Sequence, residues 1–176
     1  TLKHSETPLT NHMGLPTILS YRPSLVGRFT KDSSLDDPWT HWKQGRKETK
    51  HDRRWLQALI LLGMFSLLAL AGRRLAGWAV LAGSTILIIG FFELTCYYYS
   101  FVVLMAPLAI ERMRYSVAMI LMVMTGLILQ FFIGWYDEQY IAETVAVLLP
   151  LIYILADLVR YPLPDSSPAA ATSPSG

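Results

Sequence analysis

Glu93 stands inside the longest apolar stretch of the chain and is followed closely by three tyrosines, in Glu93-Leu94-Thr95-Cys96-Tyr97-Tyr98-Tyr99-Ser100. A carboxylate at membrane depth is costly, and by default it marks function. Successive residues of a helix point about 100° apart, so Tyr97, Tyr98 and Tyr99 cannot share one face. At least one of them is then turned toward protein or substrate. Such a wall stacks on a sugar or a lipid head group while Glu93 accepts hydroxyl hydrogen bonds. The same residues also describe an interfacial glutamate beside an aromatic belt whose hydroxyls sit at head-group level.

The remaining motifs exclude more than they offer. There is no G-x-G-x-x-G, no G-x-x-x-x-G-K-[ST], no H-E-x-x-H and no C-x-x-C, so nucleotide, zinc and dithiol signatures are missing. Cys96 is the one cysteine, which rules out an internal disulfide framework and a cysteine-rich metal site. His41 and His51 with Asp52 have metal-ligating side chains, but their spacing matches no standard site and a surface role is expected. No metal and no cofactor is expected, and no catalytic residue can be assigned.

These residues must be positioned by membrane-type elements. Of 176 residues, 53% are hydrophobic and 16% charged, whereas soluble domains carry about 25% charged residues. The net charge of +2 makes no case for a nucleic-acid partner. Charge is also unevenly placed. Residues 1–54 hold ten Lys/Arg against six Asp/Glu, and all four histidines; residues 55–176 hold five against seven. Residues 1–54 therefore read as a polar, basic extramembrane segment. The Pro/Ser/Ala-rich piece 162–176 reads as a disordered tail, unable to bury enough apolar surface. The chain opens on Thr1 without a signal-peptide pattern, so it reads either as a fragment of a longer protein, the favoured expectation, or as a chain with an upstream part removed.

About 20 apolar residues cross a bilayer core as a helix, and lipid satisfies no free backbone group. The pattern predicts an all-α integral membrane protein with five transmembrane helices, over 55–71, 75–92, 94–110, 115–135 and 141–161. The alternative is four, with 75–110 as one long helix or a helix and a re-entrant piece; Pro107 favours a break there. Trp78, Trp135, Tyr136, Tyr140 and Tyr161 lie near span ends, as amphipathic rings prefer. With five spans, Arg73/Arg74, Arg112/Arg114 and Arg160 fall on one side, while Glu93 and Asp137/Glu138 fall on the other. The positive-inside rule assigns the arginine side to the cytoplasm and leaves residues 1–54 outside, against the charge of their own basic cluster.

Local signals complete the reading. Residues 17–21 read as a short strand between turns. Asp37-Pro38 is a helix start, with Asp37 as cap and Pro38 in the first helical position, predicting a helix from about 38 to Arg54. Trp39 and Trp42 share its face, which suits a helix lying at head-group level or one packed on the rest of the protein. Asp157 and Arg160, three apart, are placed to pair. Ser116, Thr125 and Gln130 are expected to bond to neighbouring helices, and Gly72/Ala76 and Ala79/Gly83 to allow close helix contact. Met119, Met122 and Met124 suit adaptable packing.

The stretch Phe91-Phe92-Glu93-Leu94-Thr95-Cys96-Tyr97-Tyr98-Tyr99-Ser100-Phe101, a span end, an acid, a tyrosine run and a further span, resembles the late membrane region of bacterial polytopic glycosyltransferase-like proteins of the GT-C type. Asn11-His12-Met13-Gly14-Leu15 with Tyr21-Arg22-Pro23 is similar to an extracytoplasmic loop between their spans. The resemblance implies a multi-span protein of the bacterial inner membrane that uses a lipid-linked, polyprenyl-type sugar donor. Its partners would be membrane lipids, other membrane helices or missing amino-terminal spans. It would place substrate binding at Glu93, Tyr97, Tyr98 and Tyr99. The catalytic acid of that family lies in an early extracytoplasmic loop, which nothing here matches, so the chain would be a carboxy-terminal part without the catalytic base. A non-enzymatic multi-span subunit or scaffold is the alternative.

Overall fold

The computed structural model describes residues 12–133 and 137–163. Among these the chain is all-α apart from one pair of two-residue strands. Strand β1 (His12–Met13) runs antiparallel to β2 (Leu94–Thr95), with His12 opposite Thr95 and Met13 opposite Leu94. This short ladder joins the amino-terminal segment to the residues that follow Glu93.

After β1 the chain builds a cap from α1 (Leu15–Ser20), a 3-10 turn at Pro23–Leu25, α2 (Gly27–Thr30) and α3 (Thr40–Asp52). The strand expected at residues 17–21 is therefore a helix. Gly14 explains the difference. It adopts φ 133°, a conformation open to glycine but costly for other residues. Its carbonyl accepts the first bonds of α1, from Thr17 N at 3.0 Å and Ile18 N at 3.4 Å, and Pro16 lies in the first turn, where a missing N–H costs nothing. A side chain at position 14 would collide with the Phe92 carbonyl.

The start of α3 also departs slightly from expectation. Asp37 Oδ1 accepts the Trp39 N–H at 3.1 Å and its carbonyl accepts from Thr40 N at 3.1 Å, so the helix begins at Thr40, two residues after Pro38. Trp39 and Trp42 are buried. They pack against protein, which corrects the head-group expectation for that face. Helix α4 (Arg54–Gly72) follows with a single break at Arg53 (φ −99°, ψ 10°). Arg53 Nη1 donates to the carbonyls of Leu19 at 3.1 Å and Tyr21 at 3.2 Å, satisfying the open end of α1 and pinning the cap to this corner.

The apolar stretch beyond α4 is more broken than one helix per span. Residues 75–92 form α5 (Gly77–Gly83) and α6 (Thr85–Phe91), which meet at Ser84. In place of a helix over 94–110 there is β2, a 3-10 stretch at Cys96–Met105 and α7 (Ala106–Glu111). Pairing with β1 takes Leu94 and Thr95 out of any helix, and Pro107 sits in the first turn of α7. Helices α8 (Met113–Phe132) and α9 (Asp137–Arg160) are long, and α9 contains Pro150.

Contacts fix the directions. Gln57 Nε2, early in α4, donates to the Gly90 carbonyl late in α6 at 3.2 Å. Ser116 Oγ, early in α8, donates to Ala109 O late in α7 at 2.7 Å. Arg112, just before α8, reaches Asp157 near the end of α9 at 3.0 Å. Glu93 and Asp137 thus share the capped end, while Arg112, Arg114 and Asp157 share the opposite one. Between them Leu151, Ile154, Leu155 and Leu158 of α9 pack with Ile86, Ile89, Met105 and Leu108. The Ala79/Gly83 pair does mediate a close approach, since Gly83 faces Leu155 and Leu68. Pro162 and Leu163 still belong to the packed body: Leu163 is buried and the Pro162 carbonyl accepts from Arg112 at 2.9 Å. The rest of the expected tail, with Asn11, Trp135 and Tyr136, lies outside the described residues.

Helices α4, α8 and α9 are long and apolar enough to cross a membrane. Helix α8 buries only 11% of its apolar window, exposing Ile120, Leu121, Met124, Leu127, Ile128 and Phe131. Thr125 and Gln130, expected to bond to neighbouring helices, are exposed on α8.

Candidate functional site

Lys43, Arg46, Lys47 and Lys50 recur at helical spacing along α3, and residues three and four apart share a face. That face meets Glu93. Arg46 Nη2 donates to Glu93 Oε1, Lys50 Nζ donates to Oε2 at 3.2 Å, and Thr17 Oγ1 of α1 donates to Oε1 at 3.3 Å. Three side chains from two cap helices therefore converge on one carboxylate, located on the two-residue link between α6 and β2. Burial pushes the Glu93 pKa up, but the charges of Arg46 and Lys50 outweigh it and hold the carboxyl below its ordinary value.

Arg46 is the best organised member. Its Nε donates to Ser20 Oγ at 3.2 Å and its guanidinium lies 4.7 Å over the Trp42 ring, so one face and two donors of the fork are engaged. Ser20 in turn donates to the Thr17 carbonyl at 3.0 Å. A cavity of about 360 Å³ lies beside this cluster, lined by His12, Ser20, Trp42, Lys43, Arg46, Lys47, Lys50 and Glu93. Its chemistry suits a polar ligand with hydroxyls and negative charge, met by cations and by an acceptor already ionised.

A second acid anchors the cap. Asp137, in the first turn of α9, accepts from Gly27 N at 2.9 Å and from Trp42 Nε1 at 3.0 Å through Oδ2. Both donors are buried, so Trp42 joins the Glu93 cluster to α9. Two turns into α9, Glu143 is buried as well and accepts from Gln139 Nε2 at 2.8 Å. Thr144 Oγ1 accepts from the Gly14 N–H at 3.1 Å.

The residues singled out from sequence separate here. Glu93 is at the centre of a cluster. Tyr97, Tyr98 and Tyr99 lie on the 3-10 stretch immediately after β2, and their side chains lie outside the described residues. His41 faces Asp32, 3.7 Å away, and among the described residues no group of metal-ligating side chains gathers. Asp157 pairs with Arg112 at 3.0 Å and Arg114 at 2.8 Å rather than with Arg160: the start of α8 delivers two arginines to it, while Arg160 is exposed.

Arg46, Lys50, Thr17, Trp42 and Asp137 were not legible as site residues. The basic stripe on α3 was visible as spacing. Its target, 43 to 47 residues further along the chain, was not, because only the β1–β2 pairing and the packing of the cap bring Glu93 to it. No family model matches the chain, and no curated protein or solved structure is significantly similar to it.

Proposed function

We propose that this chain is an integral membrane protein crossing the bilayer five times, the membrane-embedded region of a polytopic glycosyltransferase-like protein that handles a lipid-linked sugar. In this reading α4, the α5–α6 pair, the 3-10 stretch Cys96–Met105 with α7, α8 and α9 are the five crossings, and the cap lies at one face. The observation that carries it is the position of the Glu93 cluster. An ionised acceptor, two cations and a cavity of about 360 Å³ sit where α6 ends and the basic cap begins, a combination that suits the hydroxyls and phosphate of a lipid-borne sugar. Three helices of spanning length support the membrane part.

The same cluster favours a second reading, a non-enzymatic membrane subunit. Both oxygens of Glu93 are engaged, by Thr17 and Arg46 on one and Lys50 on the other, which suits a fastener of the cap. Transfer from a polyprenyl-linked sugar, assayed with the full-length protein, separates the two. Glu93→Gln and Tyr98→Phe should each lower turnover at least about tenfold if these groups bind the transition state, a loss of about 1.4 kcal/mol. Unchanged turnover in both removes the stretch from the mechanism and leaves the subunit reading.

A further inference from the structure

A larger cavity, of about 800 Å³, opens along α3 and the first turn of α4 and shares Lys47 and Lys50 with the smaller one. Lys47, Lys50, His51 and Arg54 line it together with Gln44, Gln57 and the acids Glu48 and Asp52. The acids have partners. Gln44 Nε2 donates to Glu48 at 3.0 Å and Arg22 Nη2 reaches Asp52 at 3.5 Å. Lys50 is engaged by Glu93. Lys47 and Arg54 make no ion pair among the described residues, so they are the cations left to meet a ligand.

The apolar side of this cavity is equally specific. Phe91 lines it. Phe91 meets Phe65 edge-on with centroids 5.8 Å apart and Phe92 at 6.3 Å, and all three rings are exposed. Trp55, directly after Arg54, is 68% exposed. A pocket of ligand size that carries cations is thus bordered by Phe91, whose exposed ring meets Phe65 and Phe92. That is the shape of an amphiphile: an anionic head in the cavity, and chains lying on the rings.

We propose that this cavity seats the phosphate head group of an anionic membrane lipid, held by Lys47 and Arg54, with its acyl chains against Phe65, Phe91 and Phe92. The inference rests on the membrane part of the function above and not on sugar transfer. A glycerophospholipid, a polyprenyl phosphate and free phosphate share the recognised group, and the site commits to a lipid because an exposed aromatic ring, Phe91, lines the same cavity as the cations.

The test is native mass spectrometry of the full chain in detergent, titrated with phosphatidylglycerol or with phosphatidylcholine of the same chains. Phosphatidylglycerol should be retained about tenfold more strongly, and the double variant Lys47→Glu, Arg54→Glu should abolish that preference, each reversed cation near the head group costing several-fold. Arg73→Glu, Arg74→Glu, at the opposite end of α4, should leave it intact. Polyprenyl phosphate displacing phosphatidylglycerol one for one supports the site and identifies the lipid. Equal retention of the two phospholipids overturns it, as does an unchanged preference in the double variant or displacement by millimolar inorganic phosphate. If the charge-reversed variant loses its circular dichroism, Lys47→Gln, Arg54→Gln carries the same reading. Extraction of the chain from membranes by alkaline carbonate would sink the membrane reading itself; a chain that resists extraction yet shows no lipid preference sinks this inference alone.

Discussion

The two ends of the helical body each hold an acid between cations, and they use it differently. At one end Asp157 Oδ2 accepts from Tyr115 Oη at 2.6 Å, Arg112 at 3.0 Å and Arg114 at 2.8 Å. Tyr115 is fully buried, both arginines lie within 6 Å of its ring centroid, and Arg112 also closes the end of α9 through the carbonyls of Tyr161 and Pro162. All the donors come from residues 112–115, at and just before the start of α8. At the other end Glu93 is more exposed, 24% against 9% for the Asp157 side chain. It draws donors from two separate cap helices and borders open space. The first arrangement is a closed lock between two neighbouring helices. The second fastens the cap over the bundle and borders a cavity. A pair of cations on one acid is evidence of a functional site only where the surroundings stay open.

Variants can break this contrast, beginning with the lock. Asp157→Ala removes the common partner of two arginines and a buried hydroxyl, and should lower stability by about 3–5 kcal/mol in an SDS-titration unfolding experiment in mixed micelles. Arg160→Ala, the alternative partner on spacing alone, should change it by less than about 0.5 kcal/mol. Similar losses for both would return Asp157 to the pairing within α9.

The cap should come next. Asp137→Ala strands two buried donors, Gly27 N–H and Trp42 Nε1, at about 1–3 kcal/mol for each group left without a partner. Limited proteolysis should then cut within 12–53 before α4, α8 or α9 is affected. Uniform cleavage across the chain would show that the cap and the bundle unfold together.

The smallest effect belongs to Glu93. Glu93→Gln keeps the shape and loses the charge, so a loss of about 1–2 kcal/mol is expected for a part-exposed, charge-assisted cluster. Its pH dependence has a definite sign. The folded pKa lies below the ordinary 4.5, so the wild-type contribution is complete above that value and disappears as pH falls toward the folded pKa. Glu93→Gln should flatten this acid limb of the stability curve. A larger loss than that of Asp157→Ala, or an unchanged acid limb, would erase the distinction between the two ends.

Much of the architecture follows from residue order alone. Long apolar runs with few charges settle that α4, α8 and α9 are helices, because an apolar helix satisfies its own backbone and needs no sequence-distant partner. The compositional boundary at Trp55 falls within one residue of where α4 begins, at Arg54. Pro107 and the polar patch around Glu93 announced an interruption, and one is there. Partners were another matter. Whether residues 15–20 are strand or helix turned on Gly14 seating against the Phe92 carbonyl, a contact 78 residues apart in the chain. Whether Trp42 meets lipid or protein turned on Asp137, and whether Asp157 meets Arg160 or Arg112 turned on how α8 lies along α9. Local pattern determines backbone state because its hydrogen bonds are local; it is blind to which distant charge neutralises a carboxylate. Glu93 was recognisable as an acid out of place, but only tertiary packing, by laying the basic face of α3 across it, decided what that acid holds.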